Sequence, residues 1–190
     1  MKNLMKNKVL LLLAFLFIGA IASCSNQEKS GEVEAPKMSI HEATFLSNKA
    51  AVEQHIAYGS DLNVKDEYGS TPLTIASTFG RTEIAVILIE GGADVNALAA
   101  DGSTALHTAS FFCETEIVQA LLKAGVDTKI RSSYGSTARE SLMPPFSAVK
   151  PIYDQMQKDL GALGLKLDYD KIQALRPQIA DMIEVYERKL

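Results

Sequence analysis

The feature that most constrains this chain is a self-similarity of period 33. The segment YGSTPLTIAS begins at Tyr68, DGSTALHTAS at Asp101 and YGSTARESLM at Tyr134. Gly69, Gly102 and Gly135 are thus 33 residues apart, as are Thr71, Thr104 and Thr137. Downstream, GGADVNA from Gly91 recurs as AGVDTKI from Ala124 and appears earlier as YGSDLNV from Tyr58. Within one period the residues dictate a turn and two helices. Asp66-Glu67-Tyr68-Gly69 reads as a turn in which glycine supplies a positive φ. Thr71 then caps a helix whose first position is Pro72, where the missing N–H costs nothing. Leu73 and Ala76 face inward at i, i+3 spacing, and Gly80 ends that helix. Ile84, Ile87 and Leu88 form the apolar face of a second helix. No single unit of this kind can bury its own apolar face, so about three or more must stack into a continuous core.

The period, together with G-x-T-P-L-x-x-A and G-A-D-V-N, closely resembles the ankyrin repeat. The resemblance covers residues 38–143 and implies an all-α solenoid of helix-turn-helix repeats joined by β-turn hairpin loops. Stepping back 33 residues from Leu73, Ala76 and Asp94 reaches Ile40, Ala43 and Asp61. About four copies are expected: the first lacks its opening turn and the last diverges after Ser141. Arg139 stands where a core leucine is expected, and Pro144-Pro145 follow. Val149, Ile152, Tyr153, Met156 and Leu160 predict a helix from near Ser147. Ile172, Leu175, Ile179, Met182, Ile183 and Tyr186 predict another, which Pro177 is expected to split or kink. Residues 144–190 read as a C-terminal helical cap on the array; the competing reading is an independent functional module.

The N-terminus is of another kind. Lys2, Lys6 and Lys8 precede VLLLLAFLFIGAIA, fourteen uncharged residues, too few for a spanning helix of about 20 and suited to a signal peptide. With IASC at Ile21–Cys24, the segment closely resembles a bacterial lipoprotein signal peptide. The resemblance implies cleavage after residue 23, acylation of Cys24 and a lipid-anchored location in the bacterial cell envelope. Ser25 leans toward the outer membrane, facing the periplasm. An uncleaved anchor or an ordinary signal peptide are the alternatives. Residues 24–37 are polar and aperiodic and read as a disordered, lipidated tether. Without residues 1–23, 16 basic side chains face 23 acidic ones, a formal net charge of −7. Nucleic acid, which rewards Lys/Arg patches, is thereby a poor partner, and so are anionic lipid headgroups.

Motifs for catalysis are missing: there is no G-x-S-x-G, H-E-x-x-H, glycine-rich phosphate loop or C-x-x-C. No cofactor or metal is expected. His41 and His107 share one register, where ankyrin-like stacks bond the side chain to neighbouring hairpin backbone. In such stacks two repeats are about 20 Å, too far for one metal held at about 2 Å. Asp61, Asn63 and Asp66 lack the spacing of a calcium loop. Cys113 stands 33 residues after Gly80, so it reads as a turn residue under mild strain. Glu114 and Glu116 would raise its thiol pKa, weakening the rival reading of a redox or hydrolytic enzyme.

What remains is a surface for an unidentified protein partner. By register, the resemblance places Glu67, Tyr68, Asp101 and Tyr134 at hairpin tips. It places Phe79, Phe111 and Phe112 along the inner helices, in the rows Phe45, Thr78, Phe111 and Leu46, Phe79, Phe112. Exposed aromatics on a concave face suit an interaction hot spot; the alternative is that these rings pack between adjacent helices.

Overall fold

The computed structural model describes residues 34–190; the leader, Cys24 and most of the tether lie outside the described residues. Three helix pairs come first: α1 (Ile40–Phe45) with α2 (Lys49–Tyr58), α3 (Pro72–Thr78) with α4 (Thr82–Glu90), and α5 (Ala105–Phe111) with α6 (Thr115–Lys123). The odd-numbered helices stack on one another as one layer, and α2, α4 and α6 stack as a second. A 3-10 turn at Glu140–Leu142, α7 (Phe146–Leu160), a second 3-10 turn at Gly161–Leu163 and α8 (Tyr169–Glu187) complete the chain. There is no strand among the described residues, so the all-α expectation holds.

The pairs form for the reasons written in the period. Thr71 and Thr74 satisfy each other's backbone N–H in a capping box, with Pro72 opening the helix. Thr104 and His107 do the same for α5. Each first-layer helix ends on a left-handed residue of one register: Ser47 at φ 55°, Gly80 at 61° and Cys113 at 59°. Leu73, Leu106, Ile84, Ile117, Leu88 and Leu121 are fully buried between the layers. Each such side chain contributes about 1.5–3 kcal/mol on leaving water.

The fourth period keeps its start and loses its helix. Thr137 Oγ1 accepts from the Glu140 N–H, and Glu140 Oε2 accepts from the Thr137 N–H. Prolines at 144 and 145 then disfavour helical backbone in the residues before them, so one 3-10 turn is all that forms. Ala138 and Leu142 still supply buried apolar surface, while Arg139, at the leucine position, pairs with Glu184 of α8. Helix α8 packs on the 3-10 turn and on both α5 and α6, burying Ile172, Ile179 and Ile183.

Pro177 neither splits α8 nor ends it: the helix runs unbroken for 19 residues. The proline is exposed, and so is Gln173, whose carbonyl loses its helical donor and is left to water. Packing on the opposite face outweighs that loss. Arg176 on that face is buried and donates to the carbonyls of Ser141, Leu142 and Pro144, each at 3.1 Å. It also donates to Tyr153 Oη at 3.1 Å.

Candidate protein-binding surface

The hairpin tips are rigid because each turn is closed internally and tied to the next. In the first, the Asp66 N–H donates to the Ser70 carbonyl, and Asp66 Oδ1 accepts from the N–H groups of Tyr68 and Ser70. Gly69 sits at φ 74° and its carbonyl accepts from the Ala100 N–H of the next tip at 3.0 Å. The Ser133 N–H in turn donates to the Asp101 carbonyl at 2.8 Å. Behind the tips runs a ladder of amides. Asn63 Oδ1 accepts from the Asp94 N–H and Asn96 Oδ1 from the Asp127 N–H, both at 2.8 Å. Asp61, Asp94 and Asp127 each close their own loop by accepting from the N–H two residues on. The D-x-N pattern is thus a joint between periods, and the carboxylates that resembled calcium ligands are occupied by backbone.

On this frame Tyr68 and Tyr134 stand 77% and 80% exposed. Glu67 beside Tyr68 is exposed, and Asp101, which takes the position of Tyr68 one tip along, is half-buried and bonded to Ser103. Val64 and Leu98, exposed apolar side chains, flank the first two tips. His41 and His107 support the tips from below, their Nε2 atoms meeting the carbonyls of Val64 and Ser136 at 2.9 and 3.2 Å.

The aromatic rows lie differently from the exposed face expected of them. Phe112 is 7% exposed, and Phe111 is half-buried, its ring stacked on Tyr153 of α7 with centroids 4.2 Å apart. Tyr153 Oη donates to the Phe111 carbonyl at 2.6 Å, and the two phenylalanines meet edge to face. Neither ring is free for a partner, because the C-terminal helices fold back over this end of the row. Phe79, one repeat earlier, is half-buried against Phe45, edge to face at 4.9 Å, with the Arg81 guanidinium 6.0 Å from its centroid. A cavity of about 340 Å³ borders Arg139, Arg176 and Glu184, and one of about 240 Å³ lies between Phe79 and the Leu165–Ile172 segment.

Cys113 is 2% exposed, and burial pushes its thiol up to about 11. Its Sγ lies 3.6 Å from the Ile172 carbonyl and serves as a weak donor there. Burial likewise pushes the Tyr153 hydroxyl up to about 12, against the nearby Arg176. Sequence reasoning missed Arg176 and the Tyr153–Phe111 stack. Tyr153 carried a signal in its helical spacing; Arg176 carried none, since an arginine in a helix is normally solvated.

Residues 40–132 match the family model described as ankyrin repeats (3 copies). A stretch of 53 residues is 42% identical to protein phosphatase 1 regulatory subunit 27 of Homo sapiens and of Mus musculus, covering 28% of this chain and 34% of each of those proteins. Among solved structures, the ankyrin repeat domain of Bcl-3, described as a unique member of the IkappaB protein family, is similar at a TM-score of 0.52 and 27% identity. That likeness covers 53% of this chain and 45% of the other. The chain therefore spans about a third of the curated relatives and under half of the structural one.

Proposed function

Because residues 40–132 of this chain are ankyrin repeats, we propose that it is a non-catalytic binding protein that recognises a protein partner through its hairpin tips and the open part of its first helical layer. The observation that carries this reading is the pair of tyrosines, Tyr68 and Tyr134, held almost fully exposed on turns that are locked to one another. Large aromatics on a preorganised frame lose little entropy on binding, which is what a recognition surface requires. The inner-layer contribution centres on Phe79 and the exposed Leu46; Phe111 and Phe112 serve the fold instead. The buried, high-pKa thiol of Cys113 weighs against a nucleophile. One relative is named as a regulatory subunit of a phosphatase. What supports the present reading is the class of act that such a name describes, binding another protein, over the repeats the two share.

The second half of the proposal concerns place. The leader and Cys24 support a lipid anchor in the bacterial envelope, on the outer membrane facing the periplasm, with residues 25–37 as the tether. Several acyl chains, each buried CH₂ contributing about 0.8 kcal/mol, hold such a protein firmly while its repeats stay in water. Two experiments test the two halves separately. Cross-linking from intact membranes should lose the partner when Tyr68 and Tyr134 are both changed to Ala, with the melting temperature unchanged; undiminished recovery would remove the tips from recognition. Cys24→Ser should move the protein into the soluble fraction, and full retention on membranes would end the anchor reading.

A further inference from the structure

The charge of the stretch that carries the first two tips says what kind of partner fits them. Between residues 40 and 116 the sequence carries eleven acidic and three basic side chains, whereas residues 117–190 carry nine acidic and eleven basic. The three basic residues of the first stretch are Lys49, Lys65 and Arg81, and only Lys65 belongs to a tip. Lys49 is held by Glu83 at 2.8 Å, in the second layer. At the third tip Arg131 is already spent: its guanidinium donates to both carboxylate oxygens of Glu140 and to the Gly135 carbonyl. Among the described residues Glu67 makes no ion pair or side-chain hydrogen bond, although it is exposed next to the most open tyrosine of the first tip.

We propose that the tips are a docking surface for a cationic segment of a partner protein, carrying Lys or Arg at a spacing that reaches successive tips; this rests on the recognition reading above. The chemistry on both sides matches. Glu67 presents a free carboxylate to ammonium or guanidinium groups, and guanidinium pairs with carboxylate through two parallel bonds; Asp101, bonded to Ser103, adds negative charge at the next tip. The exposed faces of Tyr68 and Tyr134 attract the same cations by their ring quadrupoles. Val64 and Leu98, 42% and 43% exposed beside the tips, offer apolar surface to the aliphatic stems of long basic side chains. An acidic segment would meet Glu67 and Asp101 at the first two tips, where Lys65 is the one basic side chain, and a purely apolar one would leave Glu67 desolvated and unpaired.

The test uses the detergent-solubilised full chain and two fluorescent peptides, one alternating Arg with Ala and one with Glu in place of Arg, read by anisotropy. The Arg peptide is expected to bind with an affinity that falls as salt rises, and the Glu peptide not to bind. Glu67→Gln combined with Tyr68→Ala and Tyr134→Ala should weaken binding at least about tenfold. Glu90→Gln with Glu116→Gln removes the same sign of charge from the second layer and should leave binding unchanged. Glu67→Lys alone, a surface change with no packing cost, should also weaken it. Failure of the Arg peptide to bind, or equal weakening by the tip and second-layer variants, overturns the proposal. If the tips capture a natural partner whose contact segment lacks Lys and Arg, the charge assignment fails and the recognition reading stands. If tip variants still capture the partner, recognition through the tips fails instead.

Discussion

Cys113 and Gly80 adopt the same left-handed backbone, at φ 59° and 61°, yet only one of them is a residue for which that conformation is cheap. A non-glycine residue there bears roughly 1–2 kcal/mol of strain. Cys113 sits there with its side chain buried, its thiol against the Ile172 carbonyl. Burial is the main cause of its high pKa; Arg176 and Lys171 oppose it and Glu114 adds to it. Iodoacetamide at about pH 8 should therefore label Cys113 only as fast as the protein unfolds, with a rate that rises steeply in denaturant. Prompt labelling of the folded chain would contradict the burial. The strained turn was legible in the sequence, because the 33-residue register superposes Cys113 on a glycine. The burial was not, because the covering carbonyl comes from 59 residues later. His107 makes a second prediction. Burial lowers its pKa, outweighing the Ser136 carbonyl and the charge of Asp101, and in the neutral ring Nδ1 accepts the Thr104 N–H. A folded value below the unfolded one of about 6.5 means that this stability is complete above that pH and is lost as pH falls below it. His107→Thr, which installs the residue found at the equivalent Thr74, should keep the capping box and lose the bond to Ser136. The cost should be about 1 kcal/mol near neutral pH, with a shallower fall in melting temperature on the acid side. An unchanged acid slope would show that His107 is not the titrating group.

At the scale of the element, the hairpins differ in how tightly each is backed by its neighbour. Gly69 and Gly135 have similar backbones, φ 74° and 78°, but a Cβ on Gly69 would run into Ala100, whereas one on Gly135 meets open space. Gly135→Ala should cost the backbone penalty alone, about 1 kcal/mol, while Gly69→Ala should cost about 1–3 kcal/mol more. Equal losses by thermal melting would mean that the tips do not bear on one another. Turn, cap and paired helices were readable from a single period because Gly69, Thr71, Pro72 and Gly80 each permit little else. The expected split at Pro177 does not occur, since the rule against proline inside helices counts the lost bond and not what the other face gains. In α8 the other face carries Ile172, Arg176, Ile179 and Ile183, all buried.

At the scale of the whole molecule, three stacked pairs need an end that does not invite a further copy. That end is made by two elements of different origin: the surviving 3-10 turn of a fourth period, and α8 laid across α5 and α6. Truncation after Leu160 removes α8 and its buried isoleucines, and Cys113 loses its cover. The shortened chain should melt well over about 5 °C lower or fail to fold, since losing a few kcal/mol shifts a domain of this size by that much. A truncated chain that melted like the parent would make α8 a passenger. Self-similarity led to about four copies, of which three form helix pairs and the fourth keeps only its turn and one 3-10 turn; the need for a cover was also legible. Its manner was not: Arg176 binding three carbonyls and Tyr153 stacking on Phe111 join segments with no shared period, and they took Phe111 and Phe112 out of the expected open face. The amide ladder has a consequence of its own. Asn63 and Asn96 each offer an oxygen to the following period, and the next position in that series is Lys129, which has no oxygen to give. A duplicated period inserted ahead of Lys129 would find a joint on both sides, while one added behind it would find none. Lengthening of this chain by duplication is thus open in its interior and closed at its C-terminal end, so the final period keeps its place however many others are gained.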